Sequence, residues 1–236
     1  MKFIKDIDLA CPGSYRQPFV TFDVDWAHDE VIADVLGLVD TFNVRTTWML
    51  THKTQVLLDY HQPDMLELGI HPNFNYLLSG DFRLGRSASE VVARLLDFVP
   101  DAKTVRSHSL CQSSRLSKIF FDFGIKFESN DYIPACEVDE VYPWALELGI
   151  VKVPYLFSDE LSCIRNPEPT EYLVARNGIK VFNFHPIHVF LNTENLERYE
   201  QTRPLHHMPK ELIKYRYEGY GARSRLIELL ESFQKI

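Results

Sequence analysis

Four apolar runs in this chain stop on residues that can move a proton or hold a cation. Val20-Thr21-Phe22 runs into Asp23, and Asp25 follows two residues later. On a strand, residues i and i+2 share a face, so two carboxylates there would crowd and repel each other. A cation beside them removes that cost. The competing account has one acid capping the helix that opens near residue 29 and the other solvated. Gly69-Ile70 ends on His71, fixed by Pro72, with the Asn75 amide oxygen four residues on. Val105 is followed by Arg106-Ser107-His108. An arginine at a strand end can clamp a carboxylate with two parallel hydrogen bonds, and His108 offers a further ligand. The fourth run, Val181 to Phe184, ends on His185-Pro186-Ile187-His188. Imidazole titrates near neutrality, so His185 could protonate a leaving group. His188 reads as a supporting or packing residue. Each signal also has a structural explanation: a satisfied core histidine, an Arg–Asp ion pair, a surface imidazole. Gathered at one edge of one sheet, they would form a hydrolytic metal site.

The elements that must gather them are short. Strands are expected at 19–23, 46–50, 68–71, 104–107, 125–128, 150–153 and 181–184, each rich in Val, Ile, Phe or Thr, as suits a strand buried on both faces. Helical spacing sets Val31, Val35, Leu38, Val39 and Phe42 on one face of a helix over 29–42. Ser87 and Glu90 stand at capping-box spacing before a helix over 89–99. Ser113 or Ser114 opens a helix over 116–123 that Gly124 ends, and 222–233 is a final amphipathic helix. Seven strands alternating with helices imply an α/β fold with parallel pairing. An open doubly wound sheet and a closed barrel both fit, and both put active residues at the C-terminal strand ends.

The 236 residues suit one α/β domain, since such barrels commonly run to about 200–250 residues. Hydrophobic residues at 45% and aromatic ones at 13% support a real core and argue against disorder. A formal charge of −8 opposes nucleic acid as a partner, because phosphate binding needs a basic face. Cys11, Cys111, Cys136 and Cys163 are too scattered for a zinc knuckle or disulfide framework and read as reduced thiols. The charged N-terminus is neither signal peptide nor anchor, and no apolar run is long enough to span a bilayer. A cytoplasmic location is expected.

The order of these motifs resembles the polysaccharide deacetylases, also called the NodB-homology family or family-four carbohydrate esterases. The resemblance runs from Phe19 to about Asn192. It implies a distorted (β/α)7 barrel and one catalytic domain over 1–236. TFDVD looks like the family's first motif, which makes Asp23 the catalytic base and Asp25 a metal ligand. HPNFN sits where the family has His-x3-His, so His71 is a ligand and Asn75 replaces the second histidine. Arg106 matches the arginine that orients the base, and His185 the late histidine that acts as general acid. Asp131 and Asp159 are the candidates for tuning that histidine. DVDWA, GIHPN, RSH and FHPIH are similar to a WbmS-like branch found with O-antigen biosynthesis loci.

The implied cofactor is a divalent metal, zinc first. Asparagine is a weak zinc ligand, so either Asn75 supplies an oxygen, or His108 takes its place, or the ion is harder or loosely held. The expected reaction is removal of an N-acetyl group from a sugar, nucleotide- or lipid-linked. The alternatives are a carbon–nitrogen hydrolase on a small non-sugar amide and a sugar-binding relic without turnover. The stretch 199–216, with Arg203, His206, His207, Lys210 and Arg216, is locally basic and reads as a solvated loop or as a lid that meets a phosphate.

Overall fold

Alternation on β1 (Pro18–Asp23) and β9 (Lys180–Phe184) creates two cores on the two faces of one sheet. Val20, Phe22, Phe182 and Phe184 point outward and pack with helix residues Val31, Val35, Val39, Leu226 and Leu229. Phe19 and Val181 point inward and meet Ile4, Ile7, Tyr15, Phe127, Val153 and Tyr155. The computed structural model describes residues 2–164 and 168–234.

The other strands are β2 (Thr46–Leu50), β3 (Leu66–Ile70), β4 (Thr104–Val105), β5 (Phe127–Glu128), β6 (Trp144–Ala145), β7 (Val151–Lys152) and β8 (Phe157–Ser158). Their order is β6-β7-β5-β4-β3-β2-β1-β9-β8. All pair in parallel except β6 with β7. The sheet curls into a half-barrel with helices outside, a form of the distorted barrel that the resemblance implies. Each of the seven expected strands is present, and β6 and β8 are additional. Both are two residues long, too short for any periodicity to reveal. β4 is shorter than expected because the ladder ends early. Arg106 N still donates to Ile70 O at 3.1 Å, but Ser107 N turns to Asn130 Oδ1 at 2.7 Å.

Inward positions are layered from the base of the barrel to its mouth. Thr47 on β2 and Thr104 on β4 both donate to the buried carboxylate of Glu67 on β3, which also accepts from Lys5 N in the N-terminal segment. One layer up, Gly69 leaves room where a Cβ would stand 2.6 Å from Met49 Sδ and 2.8 Å from Thr104 O. Thr21, Asn183 and Arg106 are joined to one another by hydrogen bonds, and Arg106 and Asn183 both reach Asp23 of the site.

The helices follow the expected signals with small shifts. The helix Asp29–Asp40 is capped by His28, whose Nδ1 accepts from Glu30 N at 3.2 Å, so neither Asp23 nor Asp25 serves as its cap. Ser87 Oγ caps Ala88–Leu96 through Glu90 N, while the Glu90 carboxylate reaches Arg86 N, one residue before the position a capping box requires. Ser113 caps Ser114–Asp122, Gly124 follows it at φ +79°, and Ala222–Phe233 closes the chain. No helix among the described residues is long and apolar enough to cross a membrane.

Candidate active site

Asp23 is the last residue of β1 and is buried. Burial would raise its carboxyl, but the Arg106 guanidinium, then His71 and His185, outweigh it and hold the group below the usual carboxylate range. Arg106 is fully buried, stacked 4.5 Å over the Tyr155 ring. Its Nη1 donates to Asp23 Oδ1 at 3.1 Å. The two-armed clamp that sequence suggested is absent, because Nε and Nη2 donate to Ser129 O and Oγ at 2.9 and 2.8 Å. Asn183, which no sequence signal singled out, donates from Nδ2 to Asp23 Oδ2 at 2.8 Å.

Asp25 is not on the strand. It and Trp26 take left-handed backbone angles, φ +43° and +58°, which swing the second carboxylate away from the pleat. There it meets two imidazoles: Asp25 Oδ1 lies 3.2 Å from His71 Nε2 and 2.9 Å from His108 Nδ1. Burial would raise the Asp25 carboxyl, but hydrogen bonds from His108 and His71 hold it well below its ordinary value.

Donor atoms of Asp25, His71 and His108 all lie within 4.8 Å of one another. Adjacent donors around a tetrahedral ion with bonds of about 2.0–2.1 Å stand roughly 3.3 Å apart, so the spacing and the nitrogen–oxygen set fit a divalent cation. The buried Nδ1 of His71 has no hydrogen-bond partner among the described residues and lies 3.6 Å from Asp23 Oδ1. Asn75 stands outside this group. It is exposed, at the start of the helix Asn75–Leu78, and its amide donates to Ser109 Oγ at 3.0 Å.

His185 follows β9 directly and stands at the N-cap position of the helix Pro186–Leu191. Its Nε2 faces Asp23 Oδ2 and Asp25 Oδ2 at 3.9 and 3.7 Å, and its Nδ1 lies 2.7 Å from Asp159 Oδ1. Asp159 Oδ2 also accepts from the His185 backbone N–H at 2.8 Å. Burial opposes the imidazolium, but the charge and hydrogen bond of Asp159 outweigh it and push His185 up to about 10. Of the two acids considered as its partner, Asp159 makes the contact, and Asp131 lies beside Lys152 instead, at 2.9 Å.

Asp23, Asp25, His71, His108 and His185 line a cavity of about 470 Å³ whose wall also includes Tyr199, Glu200 and Arg203. The basic stretch therefore begins as cavity wall rather than as a free loop. His188 is not in the cavity. Its ring packs 4.8 Å from Tyr199, which in turn packs 4.8 Å from His206.

The half-barrel with this cluster at its mouth defines a class, the carbohydrate N-deacetylases, hydrolases of carbon–nitrogen bonds. The family model described as "WbmS-like: Polysaccharide deacetylase" matches residues 20–203. The chain belongs to that family. It is similar to WbmS of Bordetella bronchiseptica, whose crystal structure is assigned as a polysaccharide deacetylase involved in O-antigen biosynthesis, with 38% identity, 98% of each chain covered and a TM-score of 0.91. A family 4 carbohydrate esterase from Streptomyces lividans gives 10% identity over 92% of this chain and 89% of that one, TM-score 0.45. A polysaccharide deacetylase by assignment from Mycobacterium smegmatis gives 16% over 97% and 94%, TM-score 0.48. No curated protein matches the chain at a significant level.

Proposed function

We propose that this protein removes the N-acetyl group from a sugar intermediate of surface-polysaccharide synthesis of the O-antigen kind. In this reading the whole chain serves one catalytic domain. The observation that carries the reading is the pair of oppositely tuned groups across one cavity. Asp23 is held ionised by Arg106, and His185 is held protonated by Asp159, with Nε2 3.9 Å from Asp23 Oδ2. Two groups whose surroundings push them apart in this way are suited to be base and acid.

Asp25, His71 and His108 would hold the metal, with zinc the ion that imidazole and carboxylate donors suit best. Such an ion supplies polarisation of the amide carbonyl and eases ionisation of water. Asp23 takes the proton from the attacking water. His185 gives its Nε2 proton to the amide nitrogen, which lets the amine leave, and Asp159 stabilises the imidazolium before transfer. Four free cysteines support a reducing compartment, and in this reading the substrate is a cytoplasmic sugar, nucleotide- or lipid-linked.

The test is acetate release from a panel of N-acetylhexosamines, free, nucleotide-linked and lipid-linked, by protein loaded with zinc or with other divalent ions. Asp23→Asn should keep its metal and lose about 10²–10⁴-fold in turnover. No acetate from any sugar with any ion would overturn the reading.

A further inference from the structure

Arg106 leaves half of Asp23 unheld. Its Nη1 reaches only Oδ1, and the same nitrogen also donates to Thr21 Oγ1 at 2.9 Å and Asn183 Oδ1 at 2.5 Å. A carboxylate tethered through one oxygen turns easily about its last bond, because that torsion is broad. The other oxygen is held by Asn183 Nδ2 at 2.8 Å. Asn183 cannot flip without cost: its Oδ1 accepts from Arg106 and Thr21, and a reversed amide would set donors against donors. It is 1% exposed and sits on β9 directly beside Thr21 of β1, inside the parallel ladder. Its position is therefore as rigid as the sheet.

We propose that Asn183 is the positioning residue of the base: Arg106 holds one oxygen of the Asp23 carboxylate, and Asn183 holds the other and so fixes its plane. The inference rests on the reading of Asp23 as base. With Oδ1 held by Arg106 and Oδ2 by Asn183, the carboxylate has one orientation, in which Oδ1 lies 3.6 Å from His71 Nδ1 and Oδ2 3.9 Å from His185 Nε2.

A double-mutant cycle tests this, with 4-nitrophenyl acetate as the probe, an acetyl ester that makes no demand on a sugar pocket. Asn183→Ala should lower kcat by roughly 10–100-fold, the scale on which a misplaced catalytic group costs rate. KM should stay within about twofold. The same substitution added to Asp23→Asn should cost less than about twofold, because residues acting through one another are not additive. Equal losses in both backgrounds, or a loss confined to KM, would overturn the proposal. Asn183→Asp keeps size and the acceptor toward Arg106 but sets an oxygen against Asp23 Oδ2. It should lose at least as much kcat as the alanine variant, and it serves if that variant does not fold. A crystal structure of either variant should show the Asp23 carboxylate rotated, and an unmoved carboxylate overturns the assignment. Full turnover by Asp23→Asn alone is a different result: it removes the base itself, and the proposal with it.

Discussion

Asp25 shows how a residue can be legible while its conformation is not. Its spacing from Asp23 suggested two carboxylates on one pleated face, yet φ +43° takes it off the strand and into a loop. The acid still arrives beside His71, and it brings His108 with it. Asp23, His71, Arg106 and His185 were visible because each is a polar residue that ends an apolar run, which has no reason to occur in a buried strand without a partner. Asn183 was invisible because it lies inside such a run, where alternation reads it as one more inward side chain. Its partners are fixed only by the pairing of β1 with β9. Asn75 was offered by spacing from His71 and His108 by its place after Arg106; in the fold His108 stands with Asp25 and His71, while Asn75 is exposed beside Ser109. Asp25→Ala, His71→Ala and His108→Ala are expected to lose a bound divalent ion, read by elemental analysis of dialysed protein, while Asn75→Ala keeps it. An Asn75→Ala variant as depleted as His108→Ala would return the asparagine to the ligand set.

At the scale of elements, seven of the nine strands among the described residues were readable, and their lengths were not. Runs rich in Val, Ile, Phe and Thr located β1, β2, β3 and β9, while β4, β5 and β7 span only two residues each; the β4 ladder ends where Ser107 N turns to Asn130 Oδ1. The helix Pro186–Leu191 carries a consequence for acid stability. Every residue in it is buried, including His188, whose ring burial pushes down to about 4 from an ordinary value of 6.5. The folded state therefore binds this proton less readily than the unfolded chain. The stability that follows is fully present above about 6.5 and is lost as pH falls through the window down to about 4. His188→Phe keeps an aromatic ring against Tyr199 and removes the titration. Urea unfolding at steps from pH 7 to pH 4 should show wild type losing more stability than the variant. Parallel curves would mean that the ring takes up its proton equally in the folded and unfolded chain, and would overturn this account.

Across the whole molecule, the base of the barrel is closed by the N-terminal segment, through Ile4 and Ile7 in the lower core and the Lys5 N–H on Glu67. On the outer face, the helix Asp29–Asp40 is tied to the C-terminal region by Asp34, which accepts from Arg216 and Arg223. Burial raises the Glu67 carboxyl above its ordinary 4.5, and the threonine hydrogen bonds do not fully offset it. A carboxyl raised on folding favours the fold at low pH and costs stability as pH rises through its folded value. Glu67→Gln can keep Thr47 and Lys5 on its oxygen and donate to Thr104. It should unfold at a higher temperature than wild type at pH 7, with the difference vanishing below about 4.5. A lower melting temperature at pH 7 would show that the charge itself is needed at the barrel base. The incomplete ring has one more consequence, for encounters between copies. Its two end strands among the described residues, β6 and β8, are two residues long; β6 runs against its neighbour, and Tyr155 just before β8 already pairs with Tyr132. An edge that short offers another chain too few open backbone groups to extend the sheet, so an incompletely closed barrel does not thereby become a template for fibrous stacking.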